Sequence, residues 1–323
     1  MALPRASRPA RLTLRFWWVA LALEVLFGLA LLVVGDAALQ RGLDATGLEF
    51  NTDAVTAGRL VLGYPAASLA VLLSVGAVAA PDIAVLAVTW GRKALDGLGA
   101  VRRRFRFWAP EVGWRRGLRV WGAMLVTFTG ASLATAGLDA WVLSPGQWRW
   151  HTHGSVGGLA VGLVVAAFLD LGAVLEENGW RGYALPRLIR RHSPVVASLV
   201  LGLMWATWHY PVKYDAFTTY GVAGACYLAA FTIKILVLTV VMTYFWQRAG
   251  QATILAIAMH GLSNDSLRLQ GDLAETTSLR TDVLSELTIT LPLLAVAVVL
   301  VLWTRGRLGS DPGVAAFPEG GPR

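Results

Sequence analysis

Charge, sulfur and acid are all scarce in this chain. One cysteine, Cys226, excludes an intramolecular disulfide and any multi-cysteine metal site. It lies in an apolar run, so a buried, inert thiol is expected. Only 15% of the 323 residues are charged and 56% are apolar, with a mean hydropathy of +0.57. Soluble domains carry about 25% charged and about 45–50% apolar residues, so a soluble enzyme or binding module is excluded. Acids number 20 against 28 lysines and arginines, giving a formal charge of +8. The basic residues cluster beside apolar runs, which fits orientation in a membrane and not a nucleic-acid partner.

The apolar runs fall into about eight spans of the length a bilayer requires. They cover Phe16–Ala38, Leu60–Ala80, Leu118–Leu138, Gly154–Leu175, Pro194–Trp208, Val222–Trp246, Ala252–Leu267 and Val283–Trp303. The first, preceded by Arg5, Arg8, Arg11 and Arg15, is longer than the 7–15 residue core of a signal peptide, so a retained helix is expected. The stretch Pro81–Phe107 mixes apolar and basic residues and is expected to lie on the membrane surface as an amphipathic helix between spans two and three. The fold class is therefore all-α, a polytopic transmembrane helical bundle. Residues 1–308 are read as one domain with its motif core at 175–267, and 309–323, rich in Gly and Pro, as a disordered tail.

Arginines set the orientation. Arg92, Lys93, Arg102, Arg103, Arg104, Arg106, Arg115, Arg116 and Arg119 lie between spans two and three, and Arg181, Arg187, Arg190 and Arg191 follow span four. The loop from Asp36 to Asp53 is acidic. The positive-inside rule then puts both termini in the cytoplasm and Asn51 and Gln147 outside, in what is read as the cytoplasmic membrane of a prokaryote.

Against this apolar background, Glu176-Glu177-Asn178-Gly179-Trp180-Arg181 closes the fourth run. Ionisable groups in such a place are costly unless they face a protein interior or a wet cavity. His209 and His260 end or occupy later runs, and Asn264 follows His260 by four residues, on the same helical face. Pro194 marks the break between spans four and five, because the residue before a proline resists helical geometry. Counted from that break, Glu176 and His209 lie at similar depth, roughly 24 Å along two antiparallel arms, the first of them kinked at Pro186. A carboxylate in apolar surroundings is a good base toward water. Histidine and a carboxamide can orient that water or donate to an oxyanion. Glu176, His209 and His260 would equally suit a catalytic zinc ion, although the H-E-x-x-H spacing is missing.

Taken in order, Glu176-Glu177-x-x-x-Arg181, His209 and His260-x-x-x-Asn264 resemble the CPBP family of intramembrane proteases. That family includes CAAX-processing endopeptidases and proteins linked to bacteriocin self-immunity. The resemblance implies that Glu176 activates water, His209 assists, and His260 with Asn264 forms the oxyanion site. Glu177 and Arg181 complete the first motif, with an i, i+4 ion pair as their expected structural role. One departure stands out: the family has phenylalanine four residues before the second-motif histidine, and this chain has Trp205. The implied partners are membrane lipid and a membrane-associated protein or peptide substrate. No cofactor is expected to be required, with zinc as the alternative.

Other features have plainer readings. Glu24 and Lys234 are intramembrane charges outside the motifs, expected to pair, snorkel or line the cavity. His151 and His153 read as incidental surface residues, and Gly154, Gly158 and Gly162 as a helix-packing stripe. A non-catalytic immunity or scaffold protein of the same fold is the alternative function. A proton-coupled transporter is less favoured, since neither inverted repeats nor paired broken helices are evident. Single cysteines introduced through Arg92–Arg119 should be labelled only from the cytoplasmic side. External labelling at Arg104 would overturn the orientation.

Overall fold

The computed structural model describes residues 8–48, 53–90, 98–143, 145, 156–265 and 278–310. Asn51, Gln147, His151, His153 and the tail from residue 311 onward lie outside the described residues, as do Arg92 and Lys93. The described chain is helical throughout, with one isolated bridge between Asp53 and Asp170. The helices run α1 Arg8–Ala30, α2 Asp36–Thr46, α3 Ala54–Gly63, α4 Ser68–Val78, α5 Ala80–Thr89, α6 Ala100–Arg104 and α7 Trp114–Leu138. They continue with α8 Val156–Leu169, α9 Leu171–Glu177, α10 Leu185–Ile189, α11 Pro194–Trp208, α12 Asp215–Tyr220, α13 Gly224–Arg248, α14 Thr253–Asp265 and α15 Leu279–Trp303.

Among the described residues, four segments are long and apolar enough to cross a bilayer: Arg11–Thr46, Trp114–Leu143, Pro211–Arg248 and Leu279–Trp303. A bent pair, Pro65–Val78 with Ala80–Thr89, makes a fifth, turned by 62°. Pro81 at the start of α5 accounts for the bend, since it cannot continue the hydrogen-bond ladder of α4. The runs expected as spans four, five and seven form shorter helices, among them α11 with 15 residues and α14 with 13. At 1.5 Å per residue these rise only about 20–23 Å. Long helices therefore surround short ones, and the motif residues sit on the short ones.

The outer surface is apolar in the manner of a lipid-facing bundle. Leu62, Val33, Trp141, Val126 and Leu302 are all more than 70% exposed. Inside, Trp180, Trp205, Trp208 and Trp246 are fully buried. Cys226 corrects one expectation, because it is exposed on α13 and not buried. An apolar run in a membrane bundle has a lipid face as well as a core face, so run composition alone does not bury a residue.

The expected surface helix Pro81–Phe107 is also corrected among the described residues. Its first part is α5, which packs Ala84 and Val85 into the core against α1 and α9. Its later part is the short α6, where Arg104 is buried, donating to Gly182 O (3.1 Å) and Gln251 Oε1 (3.2 Å). Arg102 and Arg103 remain exposed and are the accessible positions for labelling. The small residues of α5 let it seat against the motif segment, and that placement outweighs surface amphipathicity.

α8 and α14 make the closest helix contact near the site. A Cβ on Gly261 would run into the backbone carbonyl oxygen of Ala166, so only glycine permits this approach. Gly261→Ala should therefore destabilise the protein by about 1–3 kcal/mol, the usual cost of overpacking. A lowered melting temperature in detergent would show this; an unchanged one would mean that α8 and α14 separate freely.

Candidate active site

The fourth apolar run is two helices, not one. Asp170 ends α8 and caps α9, its Oδ1 accepting from Ala173 N at 2.7 Å. Aspartate is among the best N-cap residues because its carboxylate satisfies an otherwise orphaned backbone N–H. α9 then delivers Glu176 and Glu177, and the chain widens into a π-helical segment, Asn178–Ala184. Such widened turns concentrate at functional sites. Asp82 on α5 holds this segment, accepting from Asn178 Nδ2 and from Gly179 N, both at 2.8 Å.

Consecutive residues on a helix point about 100° apart, and here the two glutamates take separate surroundings. Glu176 Oε2 accepts from the indole N–H of Trp205 at 2.9 Å and of Trp180 at 3.3 Å. Its other oxygen lies toward Gly172. A Cβ at Gly172 would stand 3.4 Å from Glu176 Oε1, 3.9 Å from Asn264 Nδ2 and 3.0 Å from Asp170 Oδ1. The missing side chain of Gly172 thus leaves a space on which a free carboxylate oxygen and an amide nitrogen converge.

Glu177 faces the other way. Its Oε1 accepts from Arg181 NH1 at 2.6 Å, the i, i+4 pair expected from the motif, and from His260 Nδ1 at 2.9 Å. Glu177 and Arg181 are fully buried. The Arg181 guanidinium also lies over the Trp205 ring, 4.2 Å from its centroid. Because a carboxylate only accepts, the shared bond places a proton on His260 Nδ1 and fixes the ring's orientation.

His209 caps the end of α11, with Nδ1 donating to the Trp205 carbonyl at 2.9 Å. Nε2 is then the lone-pair nitrogen of the neutral ring. The Trp205 ring stands edge-on to His260 (centroids 4.8 Å) and tilted to His209 (5.9 Å), so one indole separates the two imidazoles. Asn264 is the most open of the group and donates from Nδ2 to Asp170 Oδ2 at 3.0 Å.

Glu176, His209, His260 and Asn264 line one cavity of about 410 Å³. Trp205 lines it too, while Glu177 and Arg181 stand behind it as support. Sequence reading missed three contributors. Asp170 could have been noticed as a carboxylate inside an apolar run, and Trp180 lies within the first motif. Asp82 gave no local signal. Among the described residues no group of three or more His, Cys, Asp or Glu side chains is placed to hold an ion.

Trp205 offers a direct check on this geometry. Trp205→Phe keeps an aromatic ring under the imidazoles but removes the shorter hydrogen bond to Glu176. Loss of a bond to a carboxylate is worth about 1.5–3 kcal/mol, so the peptide hydrolysis that the motif resemblance implies should slow roughly 10–100-fold while the protein stays folded. Unchanged turnover would show that the indole N–H does not position Glu176.

The segment that carries this site is similar to known proteins. Residues 157–265 match the family model described as type II CAAX prenyl endopeptidase Rce1-like. A stretch of 127 residues is 32% identical to the CAAX prenyl protease 2 of Methanococcus maripaludis, covering 37% of this chain and 45% of that protein. The chain thus spans less than half the length of this relative. The matched segment runs from the start of α8 to the end of α14 and holds every motif residue named above. Through this segment the chain resembles the type II CAAX prenyl endopeptidases.

Proposed function

We propose that this protein is an intramembrane endopeptidase that hydrolyses a peptide bond of a membrane-associated protein or peptide. The observation carrying this reading is the convergence of Glu176, His209, His260 and Asn264 on one cavity, with one oxygen of Glu176 left facing it. The relative's name supports the same substrate class. Two indole donors hold Glu176 Oε2, so Oε1 is the basic atom toward a water molecule. His209, with its Nδ1 proton on a backbone carbonyl, offers Nε2 as an acceptor that aims the water.

The reaction then follows from proton positions. Water attacks the scissile carbonyl as Glu176 takes its proton, giving a tetrahedral oxyanion. Asn264 uses one amide N–H on Asp170 and has the second for that oxyanion. His260 donates from Nε2 only when its ring carries both protons, with Glu177 as the counter-ion. Collapse breaks the C–N bond, and Glu176 returns its proton to the leaving amine. The new ends are a carboxylic acid and an amine, which become a carboxylate and an ammonium when the acid proton passes to the amine.

The proposed mechanism needs no metal. The bonds to Glu176 Oε2 and to both imidazole Nδ1 atoms leave Glu176 Oε1 and the Nε2 atoms for water and substrate.

Purified protein in lipid, assayed against a peptide library with and without chelator, tests the reading. Glu176→Ala, His209→Ala and His260→Ala should each abolish cleavage, because residues acting as a unit are not additive. Asn264→Ala should cost on the order of 100-fold, as for one oxyanion donor. Activity should survive chelation; zinc that is lost with activity and restores it on return would reverse that part. Wild-type turnover by a correctly inserted Glu176→Ala protein would remove Glu176 as the base. An inert wild-type protein would favour the scaffold or immunity alternative.

A further inference from the structure

One carboxylate in the cavity has no part in the proposed reaction. Glu24 on α1 is 2% exposed, lines the same cavity as Glu176 and His209, and has a buried Oε2 without a hydrogen-bond partner among the described residues. Leaving a carboxylate buried and unpaired is among the more costly arrangements a protein can hold.

Its position follows from the packing of α1 on α11. Trp17 Nε1 donates to Met204 O at 2.8 Å and Trp208 Nε1 donates to Ala20 O at 3.2 Å. Residue numbers rise together on the two helices, so they run in the same sense. Glu24 is one turn past Ala20, which brings it level with the chain just beyond Trp208, from His209 to Val212. α1 also packs on the turn Pro211–Lys213. Glu24 therefore borders the cavity at the His209 end, on a helix outside the matched segment.

Among the described residues, the donors nearest it have other partners. Lys234, which also lines the cavity, is paired with Glu286 at 2.6 Å. Lys213 donates to the Tyr227 hydroxyl at 2.9 Å and lies over the Phe231 ring. The indoles of Trp17, Trp205 and Trp208 donate to Met204 O, Glu176 and Ala20 O. Ser74, on the adjacent α4, gives its hydroxyl proton to Ala70 O at 3.0 Å, so it too turns only lone pairs toward the cavity. The wall built by α1 and α4 thus offers only acceptors, among them a carboxylate oxygen without a partner among the described residues. What complements it is a cation bearing several N–H groups.

We propose that Glu24 is a specificity residue that anchors a basic side chain, the ammonium of lysine or the guanidinium of arginine, at a substrate position flanking the scissile bond. This rests on the protease reading for the identity of the ligand as a peptide. The apolar remainder of the cavity, including Leu31, Val78, Val212 and Leu293, suits the aliphatic stem of such a side chain. Ser74 supplies a second acceptor for its head.

The test uses full-length protein in lipid vesicles and fluorescent peptides that are identical except for lysine or its uncharged isostere norleucine at successive positions. Equilibrium binding and cleavage are both measured for wild type, Glu24→Gln and Glu24→Asp. At one position wild type should prefer lysine by at least about tenfold, the factor for one charge-assisted hydrogen bond. Glu24→Gln should reduce that preference to within about twofold, and Glu24→Asp should retain part of it. Wild type without a lysine preference at any position, or a full preference surviving in Glu24→Gln, overturns the proposal. A binding preference that depends on Glu24 without any cleavage would instead reject the protease reading and leave the anchor standing. Thermal melting of each variant separates loss of preference from loss of fold.

Discussion

The site depends on one carboxylate that does not face the cavity. Glu177 Oε1 joins Arg181 and His260, and Arg181 in turn lies under Trp205. Arg181 also reaches Thr239 Oγ1 at 3.4 Å, tying α13 to the same cluster. With both charges fully buried, their desolvation is large and only close pairing offsets it. Removing one partner would strand the other in an apolar interior. That coupling makes the pair a poor source of net stability but a strong determinant of geometry. It fixes the His260 ring, the Trp205 plane and, through Trp205, the Glu176 carboxylate.

Trp205 is where this chain departs from the family motif it resembles, and the structure gives the substitution a physical role. A phenylalanine at this position would pack against the imidazoles but could not donate. The indole both separates His209 from His260 and adds an N–H to Glu176. With Trp180 supplying a second N–H, the carboxylate is held from one side only. In low dielectric such bonds are stronger than in water, so the two indoles aim the free oxygen. The short helices α9, α11 and α14 carry this arrangement, while α1, α7, α13 and α15 enclose it and meet the lipid.

Much of this was legible in the chain itself. The scarcity of charge, the apolar runs and the spacing of the motif residues determined an all-helical membrane bundle. Local rules also determined the Glu177–Arg181 pair, because i, i+4 neighbours on a helix must meet, and the turn before Pro194, because proline dictates the geometry of its neighbour. These features depend on a few consecutive residues, and sequence reports such relations directly.

Tertiary structure alone decided the rest. The bond from His260 to Glu177, the clamp of Asp82 on Gly179 and the bond from Asn264 to Asp170 link residues between 83 and 97 positions apart. Nothing local distinguishes Asp82 on a helix read as a surface element, or Cys226 on the lipid face of a run read as buried. Hydropathy measures how well a residue tolerates an apolar surround. It cannot tell a lipid from a neighbouring helix, because both are apolar, so which face turns inward is settled only when the helices pack.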